Sequence, residues 1–368
     1  MIFEAGALRQ LGPVVSQLGG RRVLLVTDPG LEATGHPQRA AAMMAESGLE
    51  VFVFDGVKEN PTEREVRAGV QFAANYQIDL IVALGGGSSM DCAKGINFLL
   101  TNGGRMKDYK GFGKASRPML PSVGVPTTAG TGSEAQCYAL ITDESSHLKM
   151  ACGDKKAAFR VAILDPELTV SQPRMVTAVT GIDAIAHAIE SYVCLKRNPM
   201  SQAYSLAAWE YLEPHYLRVL EDPNNLASRS AMQLGAHFAG MAIENSMLGV
   251  CHSCANPLTA HYGITHGVAI ALMLPHVIRF NGPVVEPLYA RLLQAIGVND
   301  HGSAAERLAE RVTELAQAAG LPLRLRDCGV SQSILPLLAV EANEQWTARF
   351  NPRLVQEPDI ASIYHAAW

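Results

Sequence analysis

Asp183 and His187 stand four positions apart in the segment TGIDAIAHAIESY, residues 180–192, whose other side chains are mostly small or apolar. In a helix, residues i and i+4 project from one face about 5–6 Å apart, close enough for a carboxylate and an imidazole to bind one ion. A hydrogen-bonded Asp/His pair in a protein core has the same spacing. The other histidines of the chain help to decide between these two interpretations.

Histidines are concentrated in residues 249–277, which hold four of the eleven in the chain. His252 and His266 could not meet along a straight helix, because their separation of fourteen positions corresponds to a rise of roughly 21 Å at about 1.5 Å per residue. Pro257 and Gly263 lie between them and are expected to break the helix, so that the chain folds back. The two imidazoles could then reach the same place.

One carboxylate and three imidazoles would result, a donor set suited to Fe(II) or Zn(II) with room for an external oxygen ligand. The predicted ligands are Asp183, His187, His252 and His266. His261 and His276 are expected to be structural or to lie behind the ligands. Cys251 and Cys254 form a CxxC pair, but no second CxxC exists and no strand precedes this one. We expect both thiols to pack inside the helix rather than to bind metal or form a redox pair.

A glycine-rich loop follows an apolar run in DLIVALGGGSSMDCAKG, residues 79–95. Gly85, Gly86 and Gly87 would let backbone N–H groups approach a diphosphate. A helix that begins near Ser88 would add unpaired donors and partial positive charge. The spacing matches neither GxGxxG nor the P-loop pattern. A tight strand-to-helix turn without a ligand is the competing interpretation.

A second loop, VPTTAGTGSE at residues 125–134, carries hydroxyl groups beside permissive glycines, as an anion or ribose site requires. The hydroxyls belong to Thr127, Thr128, Thr131 and Ser133. Two such loops at neighbouring strand ends favour a dinucleotide. Asp28 ends the first predicted strand and could accept a hydrogen bond from a ribose 2′-hydroxyl and repel a 2′-phosphate. A turn-forming aspartate before Pro29 is the other interpretation.

The elements that must position these residues differ between the two halves of the chain. Five short apolar runs alternate with helical patterns, which predicts a parallel sheet with helices on its faces: residues 21–28, 49–56, 78–87, 121–128 and 160–166. After residues 165–175 only long helical patterns follow. Their expected breaks are Pro199, Pro214, Pro223, Pro257, Pro275 and Pro283. The sequence therefore predicts an α/β domain at residues 1–170 and an all-α domain at residues 171–368.

Composition and charge restrict the class of protein. Hydrophobic residues make up 48% and charged residues 18% of the chain, which is typical of a globular protein. The length of 368 residues predicts more than one hydrophobic core. The net charge of −5 and the lack of a basic cluster argue against nucleic acid as a partner. The seven cysteines are an odd number, which favours reduced thiols in the cytoplasm. We expect no leader and no membrane span, since no 18-residue run is uninterruptedly apolar.

Six segments, taken together and in order, resemble the iron-containing, or group III, alcohol dehydrogenases, notably those of the lactaldehyde reductase and 1,3-propanediol dehydrogenase type. The segments are GGGSSMD, PTTAGTGSE, DPEL, TGIDAIAHAIE, HGVAIALMLPHVIRFN and DIASIYHAAW. The resemblance covers nearly the whole chain. It implies a Rossmann-like N-terminal domain for NAD(H) or NADP(H), a helical C-terminal domain, a divalent metal in the cleft between them, and a homo-oligomer such as a dimer. The implied reaction transfers hydride between a small primary alcohol and the nicotinamide.

The resemblance also assigns roles to individual residues. The metal ligands would be Asp183, His187, His252 and His266, with Fe2+ expected and Zn2+ left open. The cofactor-binding residues would be Asp28, Asn60, Gly86, Gly87, Ser88, Asp91, Thr127, Thr128 and Lys149. Asp28 matches a position at which an acidic residue goes with a preference for NAD over NADP. We therefore expect NAD as the cofactor.

The chain departs from the family at Asn256, where members resembling lactaldehyde reductase carry a histidine close to the nicotinamide and the substrate. Asparagine can form hydrogen bonds but cannot carry a proton, so the proton route and the identity of the alcohol stay open. Two other functions remain as alternatives. One is a lyase like dehydroquinate synthase, which would need several basic residues beside the ligands. The other is a non-catalytic protein with a structural metal site between helices, although such sites are more often formed by thiolates.

Overall fold

The computed structural model describes residues 1–144, 149–299 and 302–368. The chain forms two compact units, Met1–Gln172 and Pro173–Trp368. The first unit combines strands and helices, and the second is helical in its described residues.

Nine strands and four α-helices make up the described part of the first unit. The strands are β1 (Ile2–Phe3), β2 (Arg22–Val26), β3 (Glu50–Phe54), β4 (Leu80–Gly85), β5 (Gly111–Phe112), β6 (Ser122–Pro126), β7 (Tyr138–Thr142), β8 (Lys149–Gly153) and β9 (Val161–Leu164). The helices are α1 (Leu11–Gln17), α2 (His36–Glu46), α3 (Glu63–Ala73) and α4 (Gly87–Asn102). Six strands form one sheet in the order β1-β9-β6-β4-β2-β3, and every neighbouring pair is parallel. The α/β fold with a parallel sheet is thereby confirmed.

Alternate residues of the central strands face two separate apolar layers. Leu25 of β2 packs in a core that includes Leu11 of α1, whereas Leu24 packs in a core that includes Ile96 of α4. Burial on both faces explains why these strands read as unbroken apolar runs in the sequence.

A second sheet of three strands was not predicted. Its order is β5-β8-β7, with β7 and β8 antiparallel and β5 parallel to β8. The residues of β7 and β8 largely alternate between half-buried and buried, and β5 is only two residues long. These partly buried runs lack the continuous apolar pattern that marks the main sheet.

Eight α-helices make up most of the described part of the second unit. They are α5 (Arg174–Val193), α6 (Pro199–Glu221), α7 (Leu226–Glu244), α8 (Val250–Tyr262), α9 (His266–Ala295), α10 (Ala304–Ala319), α11 (Leu335–Glu344) and α12 (Glu357–Ala367). Helix α5 packs against α6, α7 and α9, and α8 packs against α9. The small, apolar sequence of α5 follows from this central position, because nearly all of its side chains from Thr177 onward are buried.

The prediction that six prolines break helices was wrong for three of them. Pro214 lies inside α6, Pro257 inside α8 and Pro275 inside α9. Pro283 lies two residues before Val285, where two helical segments of α9 meet at a kink. The two remaining prolines, Pro199 and Pro223, lie at helix boundaries as predicted. A proline costs a free helix about 3 kcal/mol, and packing of the surrounding helix in the core outweighs this cost.

Helix α9 is long and apolar enough to cross a membrane by length and composition alone. However, 67% of its most apolar window is buried inside the unit. It also bends at Val285, whose φ of −132° is not helical. We therefore describe α9 as a core helix of the second unit.

Candidate functional site

Helix α5 presents Asp183 and His187 from its buried face. Both residues are 5% exposed, and the Nε2 atom of His187 lies 3.4 Å from Oδ1 of Asp183. The helical i, i+4 spacing expected from the sequence is therefore present, in a position shielded from water.

The chain brings His252 and His266 to the same place by a turn at Gly263, not at Pro257. Gly263 ends α8 in the left-handed conformation, with a φ of 63°, which glycine adopts at little cost. His252 is the third residue of α8, and His266 is the first residue of α9. The expected fold-back is present, but the proline has no part in it.

Gly267 lets the first turn of α9 approach the backbone of α5. A Cβ atom at this position would lie 2.0 Å from the carbonyl oxygen of Val179, far inside van der Waals contact. Only glycine fits this approach, which places the preceding residue, His266, beside Asp183.

The four side chains converge on one oxygen atom. Oδ1 of Asp183 lies 3.4 Å from Nε2 of His187, 3.4 Å from Nε2 of His252 and 3.7 Å from Nε2 of His266. The ligand atoms of Asp183, His187 and His252 all lie within 4.8 Å of one another, and His266 stands slightly outside this tighter group. Two ligand atoms held about 2.1 Å from one ion in tetrahedral geometry lie about 3.4 Å apart, so these separations fit a shared divalent metal.

Unsatisfied buried atoms also fit a metal. Among the described residues, Oδ1 of Asp183 and Nε2 of His252 are buried and accept or donate no hydrogen bond of good geometry. Buried polar atoms without partners are rare and costly unless an ion or water satisfies them. The two atoms face each other at the point where the ion would lie.

Electrostatics at the cluster reflect its density of charge. Burial raises the pKa of Asp183, but the imidazoles of His187, His252 and His266 outweigh burial and hold this pKa well below its usual value. Burial lowers the pKa of His252, but the carboxylates of Glu190 and Asp183 outweigh it and raise the pKa to about 9. Without metal, the cluster therefore holds its carboxylate ionised and attracts a proton to His252.

Sequence reasoning missed Glu190. It lies three residues after His187 on α5, is 3% exposed, and contacts Nδ1 of His252 through Oε2. Its other oxygen accepts a hydrogen bond of 2.8 Å from the backbone N–H of Cys251. The i, i+3 spacing from His187 was the available signal, because it places a carboxylate near the ligand face of the helix.

The residues around the ligands have other partners. His261 pairs with Glu341, its Nε2 atom lying 2.8 Å from the carboxylate. Asn256, one turn after His252 on α8, donates to Oε1 of Gln345 at 3.2 Å. All seven cysteines lie in the described part of the chain and are free thiols. Burial raises the pKa of Cys251 and Cys254, in keeping with the packing role expected for them.

In the first unit, the two predicted cofactor loops lie side by side. Strands β4 and β6 pair so that Gly85 is opposite Pro126, and the N–H of Thr127 donates to the carbonyl of Gly85 at 2.9 Å. The φ of Gly85 is 150°, which side chains rarely adopt, and a Cβ at Gly87 would lie 2.7 Å from the side chain of Thr131. The glycines are required by the turn and by this close approach of the loops.

Helix α4 begins at Gly87, and its N-cap Gly86 has no side chain to cap the first N–H groups. Donors at a helix N-terminus form a ready site for a phosphate. Ser88 lies in this first turn, and its Oγ accepts from the N–H of Asn60 at 3.2 Å. Asn60 has a φ of 52°, a conformation uncommon for residues other than glycine.

Asp28 and Lys149 lie near the same loops. Asp28 follows β2, and its Oδ2 accepts from Oγ of Ser89 in α4 at 3.0 Å. Lys149 begins β8 opposite Thr142, whose N–H donates to the carbonyl of Pro61, next to Asn60. Thr128 lies against Gly86, with its Cγ2 atom 3.3 Å from the position of a Cβ there.

Asp91 lies behind the loops rather than at their surface. Its Oδ1 accepts from Oγ of Ser133 at 2.7 Å and lies 4.0 Å from Nζ of Lys94. Burial raises the pKa of Asp91, against the opposing effect of Lys94. The Lys94 ammonium is itself buried and donates to the carbonyl and hydroxyl of Ser133 and to the carbonyl of Tyr138, at 2.7, 3.0 and 2.8 Å. This network ties α4 to the second loop, and sequence reasoning did not identify Lys94.

Known proteins resemble this chain along its whole length. Residues 1–166 match the family described as iron-containing alcohol dehydrogenase, and residues 177–368 match the C-terminal domain of the Fe-containing alcohol dehydrogenase family. The 1,3-propanediol dehydrogenase of Klebsiella pneumoniae is 36% identical, covering 100% of this chain and 96% of the relative. The NAD-dependent methanol dehydrogenase of Bacillus methanolicus is 34% identical, covering 98% and 96%.

A solved structure shares the fold as well as the sequence. The alcohol dehydrogenase from Oenococcus oeni superposes with a TM-score of 0.97 at 31% identity, covering 100% of this chain and 97% of that one. Both units, the converging carboxylate and imidazoles, and these full-length similarities lead to one conclusion: the chain belongs to the iron-containing alcohol dehydrogenase family.

Proposed function

We propose that this protein oxidises small primary alcohols and reduces the corresponding aldehydes, with NAD as the hydride carrier and Fe2+ as the bound metal. The observation that carries the proposal is the position of Asp183 Oδ1 within 3.4–3.7 Å of three imidazole Nε2 atoms. The relatives named for methanol and 1,3-propanediol act on small primary alcohols, which supports this substrate class.

The metal would be held by Asp183, His187, His252 and His266. When bound, it supplies Lewis acidity that polarises an alcohol or carbonyl oxygen. The residues of the chain hold this site in a fixed geometry and largely away from water, because three of the four ligands are 5% exposed and lie on helices of the core. Ligands of this type bind Zn2+ as well, so the metal bound in the cell depends partly on supply.

NAD would bind to the loops of the first unit. The N–H groups that open α4 at Gly86, Gly87 and Ser88 would bind the diphosphate, with Thr127 and Thr128 beside them. Asp28 would accept hydrogen bonds from the adenosine ribose and repel the 2′-phosphate of NADP. Asn60 and Lys149 would line the same region, whereas Asp91 would support the loops from behind through Ser133. The first unit would thus bind the dinucleotide, and the second would bind the metal and the alcohol.

The metal assignment is tested with two histidines of the same helix. His266→Ala removes a proposed ligand, and we expect the purified protein to lose most of its bound metal and its NAD-dependent alcohol oxidation. His276→Gln changes a histidine ten residues further along α9 and should retain both. Metal content by elemental analysis and NADH absorbance on a panel of primary alcohols are the measurements. Retention of metal and activity in His266→Ala would refute the proposed ligand set.

The cofactor preference is tested at Asp28. Asp28→Gly removes the charge that would face a 2′-phosphate, so the ratio of kcat/KM for NADP to that for NAD should rise at least about tenfold, as expected for loss of one unfavourable charge contact. Ser89→Ala removes only the hydrogen bond to Asp28 and should change this ratio less. An unchanged ratio in Asp28→Gly would show that the carboxylate does not face the ribose.

We also propose a cytoplasmic homo-oligomer, with a dimer as the first expectation. Seven free thiols suit a reducing compartment, and oligomers are common in the family. Light scattering on the purified protein measures the assembly, and a monomer at micromolar concentration would contradict it.

A further inference from the structure

Glu190 faces His252 from the side opposite the proposed metal. One ring nitrogen of His252, Nε2, lies 3.4 Å from Asp183 Oδ1, and the other, Nδ1, contacts Glu190 Oε2. We propose that Glu190 is a positioning residue that keeps the His252 proton on Nδ1, so that the Nε2 lone pair points at the metal. The inference rests on the proposed metal site and concerns a residue to which no role has yet been given.

The second oxygen of Glu190 fixes which partner on His252 must carry the proton. Oε1 accepts the backbone N–H of Cys251 at 2.8 Å, and a backbone N–H can only donate. An ionised carboxylate accepts hydrogen bonds at both oxygens. The ring nitrogen that contacts Oε2 must therefore carry a proton, which in a neutral imidazole leaves the other nitrogen, Nε2, as the acceptor or ligand.

The surrounding structure fixes Glu190 in this position. Gly249 precedes α8, and a Cβ there would lie 2.8 Å from Glu190 Oε1 and 2.9 Å from Asn351 Oδ1. The carboxylate can reach the start of α8 only because this residue is glycine. Since Glu190 is 3% exposed and sits on the same helix as Asp183 and His187, its distance from the cluster does not depend on a mobile loop.

The charge of the site also favours a second carboxylate. A divalent ion with Asp183 and three neutral imidazoles would leave one positive charge in a buried place. Glu190 would balance that charge, and buried charges are tolerated when they are paired and hydrogen-bonded. A carboxylate bonded to the far nitrogen also makes an imidazole a stronger metal ligand.

A purely structural role is the competing explanation, since Glu190 also caps the first turn of α8. Capping needs only one acceptor oxygen, which a glutamine amide supplies. In Glu190→Gln, the amide oxygen would turn toward the N–H of Cys251, because two donors cannot face each other. The amide NH2 would then face His252 Nδ1, which would have to accept, and the ring proton would move to Nε2. The variant therefore keeps the cap but blocks the ligand nitrogen.

The experiment compares zinc binding to the metal-free proteins in chelator-buffered Zn2+ at pH 10, above the pKa of about 9 of His252, so that protons compete little for its imidazole. We expect Glu190→Gln to bind zinc at least about tenfold more weakly than wild type, the loss typical for partners of metal-bound histidines. Glu213→Gln is the matched control, because Glu213 is a buried carboxylate on α6 that pairs with Arg311. It should bind zinc like wild type. Equal zinc affinity in Glu190→Gln and wild type would overturn the proposal.

A second measurement is made on wild type and does not depend on how Glu190→Gln folds. Nitrogen-15 NMR of histidine-labelled, zinc-loaded wild type should show the His252 proton on Nδ1, identified by its loss in His252→Gln. A proton on Nε2, with Nδ1 bound to metal, would overturn the role of Glu190. Wild type that binds no divalent metal would instead refute the proposed function, and the proton position in the metal-free protein above pH 10 would still decide the role of Glu190.

Discussion

Lys94→Met should destabilise the first unit by about 3–5 kcal/mol, the usual cost of removing one partner from a buried ion pair. The Lys94 side chain is 1% exposed, and its ammonium donates to three oxygens of Ser133 and Tyr138 while facing Asp91. Methionine has a similar length and fills the space, so little of the loss comes from a cavity. The remaining cost is that of unsatisfied carbonyls and an uncompensated carboxylate.

The assay is urea unfolding followed by two signals. All three tryptophans, at positions 209, 346 and 368, belong to the second unit, so their fluorescence reports on that unit. Far-UV circular dichroism reports on both units. We expect Lys94→Met to lower the midpoint of the transition seen by circular dichroism but not by fluorescence. It should also weaken NAD binding, because the network ties α4 to the second cofactor loop.

Two further variants test the cause. Lys156→Met removes a lysine that pairs with Asp154 at 3.2 Å but is 43% exposed, and it should cost less than about 1 kcal/mol. The double variant Lys94→Met with Asp91→Asn removes both charges and should recover part of the loss. If Lys94→Met cost no more than Lys156→Met, the reasoning about the buried ion pair would be wrong.

Four other outcomes are expected. Removing metal with a chelator should lower the melting temperature of the second unit, because the metal would join three helices. Added Zn2+ should restore it. A melting temperature unaffected by chelator would contradict this expectation. Gly267→Ala should push α9 away from α5 and displace His266, so the metal content of the purified protein should fall. Full metal occupancy by elemental analysis would contradict this expectation. Burial and Arg279 lower the pKa of His276 to about 4, so the unfolded chain binds a proton that the folded chain excludes. Stability should therefore fall by about 2–3 kcal/mol as the pH drops from about 6.5 to 4, and His276→Gln should lack this part of the acid sensitivity in urea titrations. Asn256→His should add an ionisation near pH 6–7 to the profile of kcat/KM, and an identical profile would show that position 256 does not reach the proton route.

Local spacing predicted the parts of the fold and site that depend on one element at a time. The helical period fixes which residues share a face, so Asp183 and His187 could be paired from the sequence alone. Parallel strands buried on both faces appear as unbroken apolar runs, so β2, β4, β6 and β9 were found. The partly exposed edge strand β3 was found as well, because its sequence EVFVF is rich in β-branched and aromatic residues. The geometry of each element is set by its own residues, and pattern reasoning uses only those.

Contacts between distant segments could not be predicted in the same way. Glu190 meets a histidine 62 positions away, and Lys94 meets Ser133 39 positions away. Neither residue differs, in its own segment, from an ordinary polar residue of a helix. The helix breaks predicted at Pro257 and Pro275 were wrong for a related reason. Tertiary packing stabilises these helices by more than the hydrogen bond that each proline removes.

The burial of the thiols affects how susceptible the protein would be to oxidation in air. Oxidants attack sulfur atoms that are exposed and readily ionised, and six of the seven cysteines in the described chain are buried. Only Cys328 is partly accessible. Activity lost on exposure to oxygen would therefore not come from the six buried thiols, and a thiol reductant would have little to restore at these positions.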